Sequence, residues 1–321
     1  MTKPFRFGVQ AYSADSPDEW RELAKKVETF GFSCFHLADH YIGDGPALTA
    51  ANHPLQNLAA IPALAVAAEA TESIRVGCRV FCCDYHQPTV LAKEVATIDW
   101  FSGGRLELGL GAGWVESEYD AMGIPMERPG IRIDRMTETL DFIRQHYSGD
   151  QIELAGAHVQ ASGFSGAPTT GGMPPIMIGG GSQRILGIAG READIVSINF
   201  DNSAGKIGPK GVGSGTIDGT AQKIEWIQAG AGERFDDLEI EIAAYFTVVT
   251  DHTEIVQEEF AKLFGLEASE IANHPHCLIG PVGALIEKIQ QRREELGINY
   301  VTFSGAVIDD VAPIIDALSG T

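Results

Sequence analysis

Short apolar runs alternate with longer amphipathic stretches along the whole chain. Strands are predicted at residues 5–12, 32–39, 74–83, 105–113, 175–178, 193–199, 238–249 and 298–305. Helices are predicted at residues 16–31, 55–71, 88–104, 130–147, 182 onward, 219–230, 253–264, 281–296 and 309–319. Regular alternation of strand and helix indicates a parallel sheet. Eight such units in a chain of 321 residues favour a TIM (β/α)8 barrel over an open sheet.

Four stretches show neither the strand pattern nor the helix pattern and are expected to be irregular. They cover residues 40–54, 114–129, 149–173 and 200–218. Most of them follow the carboxyl end of a predicted strand, which is where barrel enzymes build their active sites. We therefore expect a single barrel domain over residues 1–321, with insertions in the loops at the C-terminal ends of the strands. No internal repeat or linker interrupts it.

Composition narrows the class of protein. The formal charge of −21 argues against a general nucleic-acid or membrane-surface binder. No apolar run reaches the ~20 residues of a membrane span, and the N-terminus does not read as a signal peptide. The five cysteines are odd in number and form no C-x-x-C pair, so we expect free thiols, no zinc site and a cytoplasmic location.

Three consecutive glycines follow the fifth predicted strand in "PPIMIGGGSQR". A strand, then glycines, then a helix start presents backbone N–H groups and the positive end of the helix dipole to a ligand. This pattern predicts a phosphate site at Gly179, Gly180, Gly181 and Ser182. The alternative is a tight strand-to-helix turn that holds no ligand.

A second glycine motif, "GLGAGW" at 109–114, resembles a dinucleotide fingerprint without completing it. Trp114 stands where that fingerprint needs its third glycine, so a Rossmann site is not expected. We interpret these glycines as positions that lack a side chain so that a flat ligand can pack against the end of the fourth strand. A crowded turn is the alternative.

Histidines supply the other candidate chemistry. In "ADHY", Asp39 and His40 end the second predicted strand, and a histidine at a barrel rim can transfer protons near neutral pH. A structural role for His40 remains the alternative. His36 lies deeper on the same strand and is expected to be a hydrogen-bonded core residue. The pair in "HPH" (274–276) lacks a third ligand at a suitable spacing, so no metal site is predicted.

Taken together, these motifs resemble the bacterial luciferase-like monooxygenase superfamily along nearly the whole chain. The resemblance rests on "GFSCFHLADHY", on "IRVGCRVFCCDYHQPTVLAKEVATIDWFSGGRLELGLGAGW", on "PPIMIGGGSQRILGIAGREADIV" and on "LIGPVGALIEKIQQRREELGINYVTF". Within that superfamily the chain is most similar to the branch that uses the deazaflavin coenzyme F420, commonly actinobacterial. The resemblance implies a TIM barrel, a flavin-type ring in its mouth, and a homodimer, which the apolar helix predicted at 55–71 also favours.

The resemblance also implies roles for particular residues. Asp39 and His40 would lie at the ring and the substrate, with His40 as general acid/base and Asp39 orienting it or contacting the cofactor. The third strand would back the ring through Val80, Phe81 and Cys82, with a non-proline cis peptide at a bond the resemblance leaves open. Ala112 and Gly113 would line the other edge of the ring. Gly179, Gly180, Gly181 and Ser182 would bind its phosphate.

The basic loop "GKIGPKG" (205–211) is a candidate binding segment for the oligoglutamate tail of coenzyme F420. The alternative is a solvated segment. We assign Gln10 and Trp114 to the substrate pocket. Related sugar-phosphate dehydrogenases have a catalytic glutamate where this chain has Trp114, which argues against glucose-6-phosphate oxidation and for an apolar or aromatic substrate.

The expected activity is hydride transfer between coenzyme F420 and an organic substrate that the sequence does not identify. The first alternative is an FMN-dependent monooxygenase, and the second is a barrel that binds a flavin without catalysis. Both cofactors carry a phosphate on a ribityl chain, so the glycine loop does not separate them.

Overall fold

The computed structural model describes residues 3–321 and contains a closed barrel of eight strands. In chain order the strands are β1 Arg6–Ala11, β2 Cys34–Leu37, β3 Arg75–Cys82, β4 Leu106–Gly111, β5 Gln151–Ala155, β6 Gln160–Ser165, β7 Ile176–Gly180, β8 Ile195–Ile198, β9 Glu239–Ala243, β10 Phe246–Val249, β11 Cys277–Gly280 and β12 Ile298–Ser304. The barrel order is β1-β12-β9-β8-β7-β4-β3-β2. The predicted TIM barrel is confirmed.

Helices follow the barrel strands. They are α1 Pro17–Thr29, α2 Pro46–Ala51, α3 Ala60–Ala70, α4 Pro88–Ser102, α5 Glu116–Met122, α6 Pro129–Ser148, α7 Gln183–Glu192, α8 Pro209–Gly213, α9 Ile217–Ala231, α10 Thr253–Phe264, α11 Ala268–Asn273, α12 Val282–Leu296 and α13 Ile308–Leu318. Among the described residues, no helix combines the length and the apolar character needed to cross a bilayer.

Local sequence signals explain why the helices begin and end where they do. At the start of α1, the hydroxyl of Ser16 accepts a hydrogen bond from the Glu19 N–H at 3.1 Å. At the end of α4, Gly103 adopts the left-handed conformation that terminates a helix (φ 70°). The barrel strands between these helices are mostly buried, and every residue of β2, β4 and β8 is inside. This is the pattern of parallel strands covered on both faces.

The predicted strand at 238–249 is wrong as a single element. Ala244 N still donates to Thr302 O of β12, but Phe246 N donates to His276 O, at 2.8 and 3.1 Å. The chain therefore leaves the barrel after β9 and forms a separate parallel pair of β10 with β11. Residue-by-residue apolar character continues through both strands, which is why the sequence pattern does not show the break.

The stretches expected to be irregular contain short elements. Residues 40–54 hold α2, residues 114–129 hold α5, residues 200–218 hold α8, and residues 149–173 hold the antiparallel pair β5–β6. The helix predicted at 55–71 begins only at Ala60, because the side chain of Gln56 donates to the carbonyls of Ala38 and Leu58 and keeps the preceding backbone extended into a loop.

The described chain divides into two compact units. The first comprises residues 3–11, 26–35 and 178–321, and the second comprises residues 12–25 and 36–177. The first contains β8, β9, β12 and a separate apolar cluster around Phe200, Val212 and Phe264. The second contains β3, β4 and the β5–β6 hairpin. That residues 1–321 form one domain stays a prediction.

Candidate active site

A histidine–carboxylate pair stands at the end of β2. Nδ1 of His40 lies 2.6 Å from Oε2 of Glu118, and the other carboxylate oxygen accepts the Tyr41 N–H at 2.6 Å. The His40 side chain is 13% exposed, whereas that of Glu118 is fully buried. Glu118 is positioned by α5, which packs on α2 through a hydrogen bond from Ser117 to Ala47 O.

Glu118 is held in its charged form. Burial alone raises the pKa of this carboxyl group, but the hydrogen bonds from His40 and from Tyr41 N outweigh burial, so its pKa is lowered. An ionised carboxylate only accepts hydrogen bonds, so Nδ1 of His40 carries a proton. The remaining ring nitrogen, Nε2, is then the one that can exchange a proton with a ligand.

Aromatic rings surround His40. The His53 ring lies 4.0 Å from the His40 ring between centroids, and Trp114 stands edge-on to His40 at 6.2 Å. Trp114 also packs against His53 at 5.9 Å between ring centroids, and Tyr12 meets His53 edge-on at 5.8 Å. Trp114 therefore lies beside His40, and its assignment to a substrate pocket stays a prediction.

Asp39 has a different partner from the one expected. Its Oδ2 accepts the Cys82 N–H at 2.9 Å and pairs with Nε2 of His86 at 2.8 Å. The expectation that Asp39 orients His40 is wrong in this structure, because Glu118 occupies that position on the imidazole. Asp39 instead ties the end of β2 to the end of β3, and a contact with a cofactor stays a prediction.

The third barrel strand contains the non-proline cis peptide, at Arg79–Val80. Phe81 and Cys82 are buried, while Val80 keeps part of its side chain exposed. A Cβ atom at Gly109 would lie 2.0 Å from the Cys78 carbonyl oxygen and 2.9 Å from a Val80 methyl group, and one at Gly111 would lie 2.6 Å from the other Val80 methyl group. Those two glycines of "GLGAGW" therefore allow close packing against β3, which matches the crowded-turn alternative.

Ala112 and Gly113 follow β4 and are fixed through their carbonyls. Arg132 Nη1 donates to Ala112 O at 3.1 Å and to Gly113 O at 2.6 Å. Gly113 has a φ of +73°, and a Cβ there would lie 2.0 Å from the Tyr119 hydroxyl. That hydroxyl donates to Asp84 Oδ2 at 2.8 Å, and Arg135 also binds Asp84. This network holds the 112–113 backbone in place.

The triglycine loop belongs to the other unit. β7 continues through Gly180, and α7 starts after Ser182, whose hydroxyl makes no capping hydrogen bond. A Cβ at Gly181 would lie 2.0 Å from the Phe200 carbonyl oxygen, and one at Gly180 would lie 2.3 Å from the Ile185 side chain. The fold itself therefore requires glycine at 180 and 181, whatever the loop binds. Phosphate binding there stays a prediction.

The other predicted residues are placed as follows. Gln10 is 5% exposed at the end of β1, opposite Ser304 in register, and its role in a substrate pocket stays a prediction. His36 is buried and pairs with Glu107 at 2.9 Å, which confirms the expectation of a core histidine. His274 and His276 are buried against the carbonyls of Val212 and Ala243, at 2.9 and 2.8 Å.

Sequence reasoning missed Glu118, His53 and His86. Glu118 sits in "WVESEYDAMG", where acids at 116, 118 and 120 precede Gly123 and indicate a short helix after β4. That signal could have been found. His53 and His86 follow no motif, and only the folded chain shows what they contact.

A family model described as luciferase-like monooxygenase matches residues 1–297. The chain belongs to the luciferase-like monooxygenase family. This confirms the predicted resemblance, and at the level of the family it confirms an oxidoreductase.

Relatives of this luciferase-like protein include 5,10-methylenetetrahydromethanopterin reductase of Methanopyrus kandleri, which is 27% identical over 319 residues, 95% of this chain and 83% of the relative. The solved structure of the coenzyme F420-dependent tetrahydromethanopterin reductase from the same organism has a TM-score of 0.74 at 19% identity, over 98% of both chains. A riboflavin lyase with modified FMN and riboflavin has a TM-score of 0.77 at 16% identity, over 99% of this chain and 93% of that one.

Proposed function

We propose that the protein is an F420-dependent oxidoreductase that transfers a hydride between the coenzyme and an organic carbonyl or alcohol. The observation that carries the proposal is the pair of His40 and the ionised Glu118 at the end of β2. The pair provides an imidazole that can give or take one proton per turnover, and a hydride transfer to a carbonyl needs one.

The residues present fit a flavin-type ring and its phosphate. The partly exposed Val80 side chain and the fixed 112–113 backbone offer an apolar, preformed surface of the kind that holds a flat ring. The uncapped Ser182 hydroxyl at the start of the ten-residue α7 suits an anion. We propose that Val80, Ala112 and Gly113 contact the ring and that Ser182 contacts the phosphate.

When bound, the coenzyme supplies or accepts the hydride. His40 exchanges the matching proton at Nε2 with the substrate oxygen, while Nδ1 keeps its proton against Glu118. Glu118 stabilises the imidazolium form and fixes the ring orientation. Trp114 stands edge-on to the His40 ring and offers an apolar surface to the substrate.

Coenzyme F420 is preferred over FMN because the M. kandleri reductase is similar over 95% of the chain. The FMN-dependent monooxygenase remains the second candidate, since the riboflavin lyase with modified FMN shares the fold. A non-catalytic flavin-binding barrel is the third. The cytoplasmic location and the actinobacterial origin stay predictions.

The proposal is tested by a screen of carbonyls and alcohols with reduced and oxidised coenzyme F420, followed by absorbance. His40→Ala should keep coenzyme binding and lose most turnover, because the proton donor is gone. The matched control is His158→Ala, since His158 is exposed on the hairpin far from the pair in sequence and has no role in the proposal. Unchanged turnover in His40→Ala would remove His40 from the mechanism.

A further inference from the structure

Two imidazole rings stand side by side in the candidate site, and the proposed proton transfer uses only one of them. His40 and His53, called here the imidazole pair, lie 4.0 Å apart between ring centroids and are tilted by 47°. His53 comes from the segment between α2 and α3, is partly buried, and contacts the rings of Tyr12 and Trp114 as well as that of His40. These three ring contacts hold the His53 ring beside the His40 ring.

The hydrogen bond of His53 decides where its proton is. Nδ1 lies 2.8 Å from the carbonyl oxygen of Pro54. A carbonyl oxygen only accepts, so Nδ1 is the nitrogen that carries hydrogen. Burial, and after it the neighbouring His40, lower the pKa of His53 to about 3, although Pro54 O and Glu118 act in the opposite direction. At neutral pH the ring is therefore uncharged, and its Nε2 keeps a lone pair.

The two Nε2 atoms then have opposite hydrogen-bonding character. Nδ1–H of His40 is held by a carboxylate, so a proton that the ring takes up sits at Nε2, which then donates. His53 is held by a neutral carbonyl, so its Nε2 can only accept. Within residues 3–321 neither Nε2 has a hydrogen-bond partner of its own. The pair presents one donor and one acceptor to a single ligand.

We propose that His53 is a specificity-determining acceptor, and that the substrate carries a hydroxyl or N–H group next to the carbon that exchanges the hydride. This inference rests on the proposed function. In the reducing direction, the carbonyl carbon gains the hydride with its two electrons from the reduced coenzyme. The oxygen gains the proton from His40 Nε2, and the neighbouring donor hydrogen-bonds to His53 Nε2.

Selectivity follows from the cost of an unpaired acceptor. A simple ketone would displace water from His53 Nε2 and return no hydrogen bond to it. Sites built around a hydrogen bond discriminate strongly against analogues that lack the partner group. The substrate class is therefore an α-hydroxy carbonyl, or a carbonyl with an adjacent N–H, and not an unfunctionalised ketone.

The first test needs no coenzyme. Long-range ¹H–¹⁵N spectra of the full chain with labelled histidines, assigned with His53→Phe, should show His53 in the neutral Nδ1–H form from pH 8 down to pH 5. An Nε2–H form of His53, or protonation above pH 5, would overturn the inference even if F420-dependent turnover were present. Loss of F420 binding would instead defeat the proposed function and leave the state of His53 as predicted.

The second test compares two probes of equal size, hydroxyacetone and butanone, which differ by a hydroxyl in place of a methyl. Hydroxyacetone should shift the His53 Nε2 resonance and butanone should not; equal shifts would contradict the inference. With coenzyme F420, hydroxyacetone should have a kcat/KM at least tenfold higher. His53→Phe should remove this preference by raising the KM for hydroxyacetone towards that for butanone, and His158→Phe should retain the preference.

Discussion

His40 directs Nδ1 at the buried carboxylate of Glu118, 2.6 Å away, although 78 residues separate the two in sequence. The same carboxylate accepts the N–H of Tyr41, so it binds the side chain of one residue and the backbone of the next. The Glu118 carboxylate on α5 thereby fixes both the orientation of the His40 ring and the position of the backbone that follows β2. This link makes α5 a part of the candidate site.

Glu118→Gln should lower kcat by about 10²-fold and leave KM nearly unchanged, because the neutral amide no longer stabilises the imidazolium form of the proton donor. Steady-state kinetics at pH 7.5 measure kcat and KM separately. Glu116→Gln, an exposed position on the same helix, is the control. A KM that rises as much as kcat falls would contradict the assignment of Glu118 to the proton-transfer step.

Gly181→Ala should destabilise the fold, because its Cβ would come within 2.0 Å of Phe200 O, a backbone atom that cannot move alone. We expect a loss of about 2 kcal/mol in the free energy of unfolding. Ser182→Ala should leave that free energy unchanged and weaken coenzyme binding several-fold, since the hydroxyl caps nothing in its own helix. Urea denaturation and binding titrations check the two outcomes. Unaltered affinity in Ser182→Ala would contradict the predicted phosphate site.

Stability should fall as pH decreases from about 6.5 to about 4. His274 is fully buried, donates from Nε2 to Val212 O and accepts the His276 N–H at Nδ1, so it has no place for a second proton. Burial lowers its pKa to about 4, with Arg292 and Lys223 adding to the effect. The unfolded chain therefore takes up the proton first, and the folded state loses its advantage on acidification.

The measurable slope approaches about 1 kcal/mol per pH unit for this group. Urea unfolding at pH 7.5 and 5 gives the slope for the wild type, His274→Gln and the exposed control His158→Gln. The His274 variant should be less stable at pH 7.5 and should lose less on acidification. His53, with its pKa lowered to about 3, also makes the protein less stable on acidification. The His274→Gln variant should therefore keep a smaller dependence of its unfolding free energy on pH. An identical slope in wild type and His274→Gln would refute the assignment.

We propose that homodimerisation uses α4 in place of the apolar helix that the sequence suggested. α3 buries Ala60, Ala63, Leu64, Ala67 and Ala68 inside its own chain. By contrast, Trp100 and Phe101 at the end of α4 are 57% and 65% exposed. A paired exposed tryptophan and phenylalanine is the composition of an interface core.

The double variant Trp100→Lys with Phe101→Lys should convert a dimer to a monomer in light scattering after gel filtration. Ile255→Lys with Leu263→Lys changes two equally exposed residues, both on α10, and should leave the dimer intact. A monomeric wild-type protein would contradict the proposed dimer. Loss of the dimer in both variants would deny α4 a specific role.

The elements whose apolar residues recur at regular strand or helix spacing could be predicted from the sequence. Barrel strands and long helices such as α4 and α10 appear at or near their predicted bounds, because one buried face repeats over many residues. The break between Ala243 and Phe246 could not be predicted, since apolar residues continue across it and only the partner strand changes. Short helices such as α2 and α5 bury too few residues to produce a recognisable repeat of apolar positions in the sequence.

The candidate site also contains residues that the sequence pattern could locate and residues that it could not. Asp39 and His40 lie just after β2 and could be found by position, and Trp114 follows the "GLGAG" motif. Glu118 and His53 depend on which helix and which loop meet His40, and that is a property of the packed chain. The glycines at 109, 111, 180 and 181 were interpreted as ligand contacts, but they also serve the packing of Val80, Ile185 and Phe200.

The proposed function requires that this luciferase-like barrel binds coenzyme F420 in preference to FMN. Titration of the apo-protein with oxidised F420 and with FMN, followed by fluorescence at one salt concentration and pH 7.5, tests this preference directly. F420 should bind at least tenfold more tightly than FMN, and His40→Ala should retain that preference. Tighter binding of FMN would contradict the account and favour the monooxygenase.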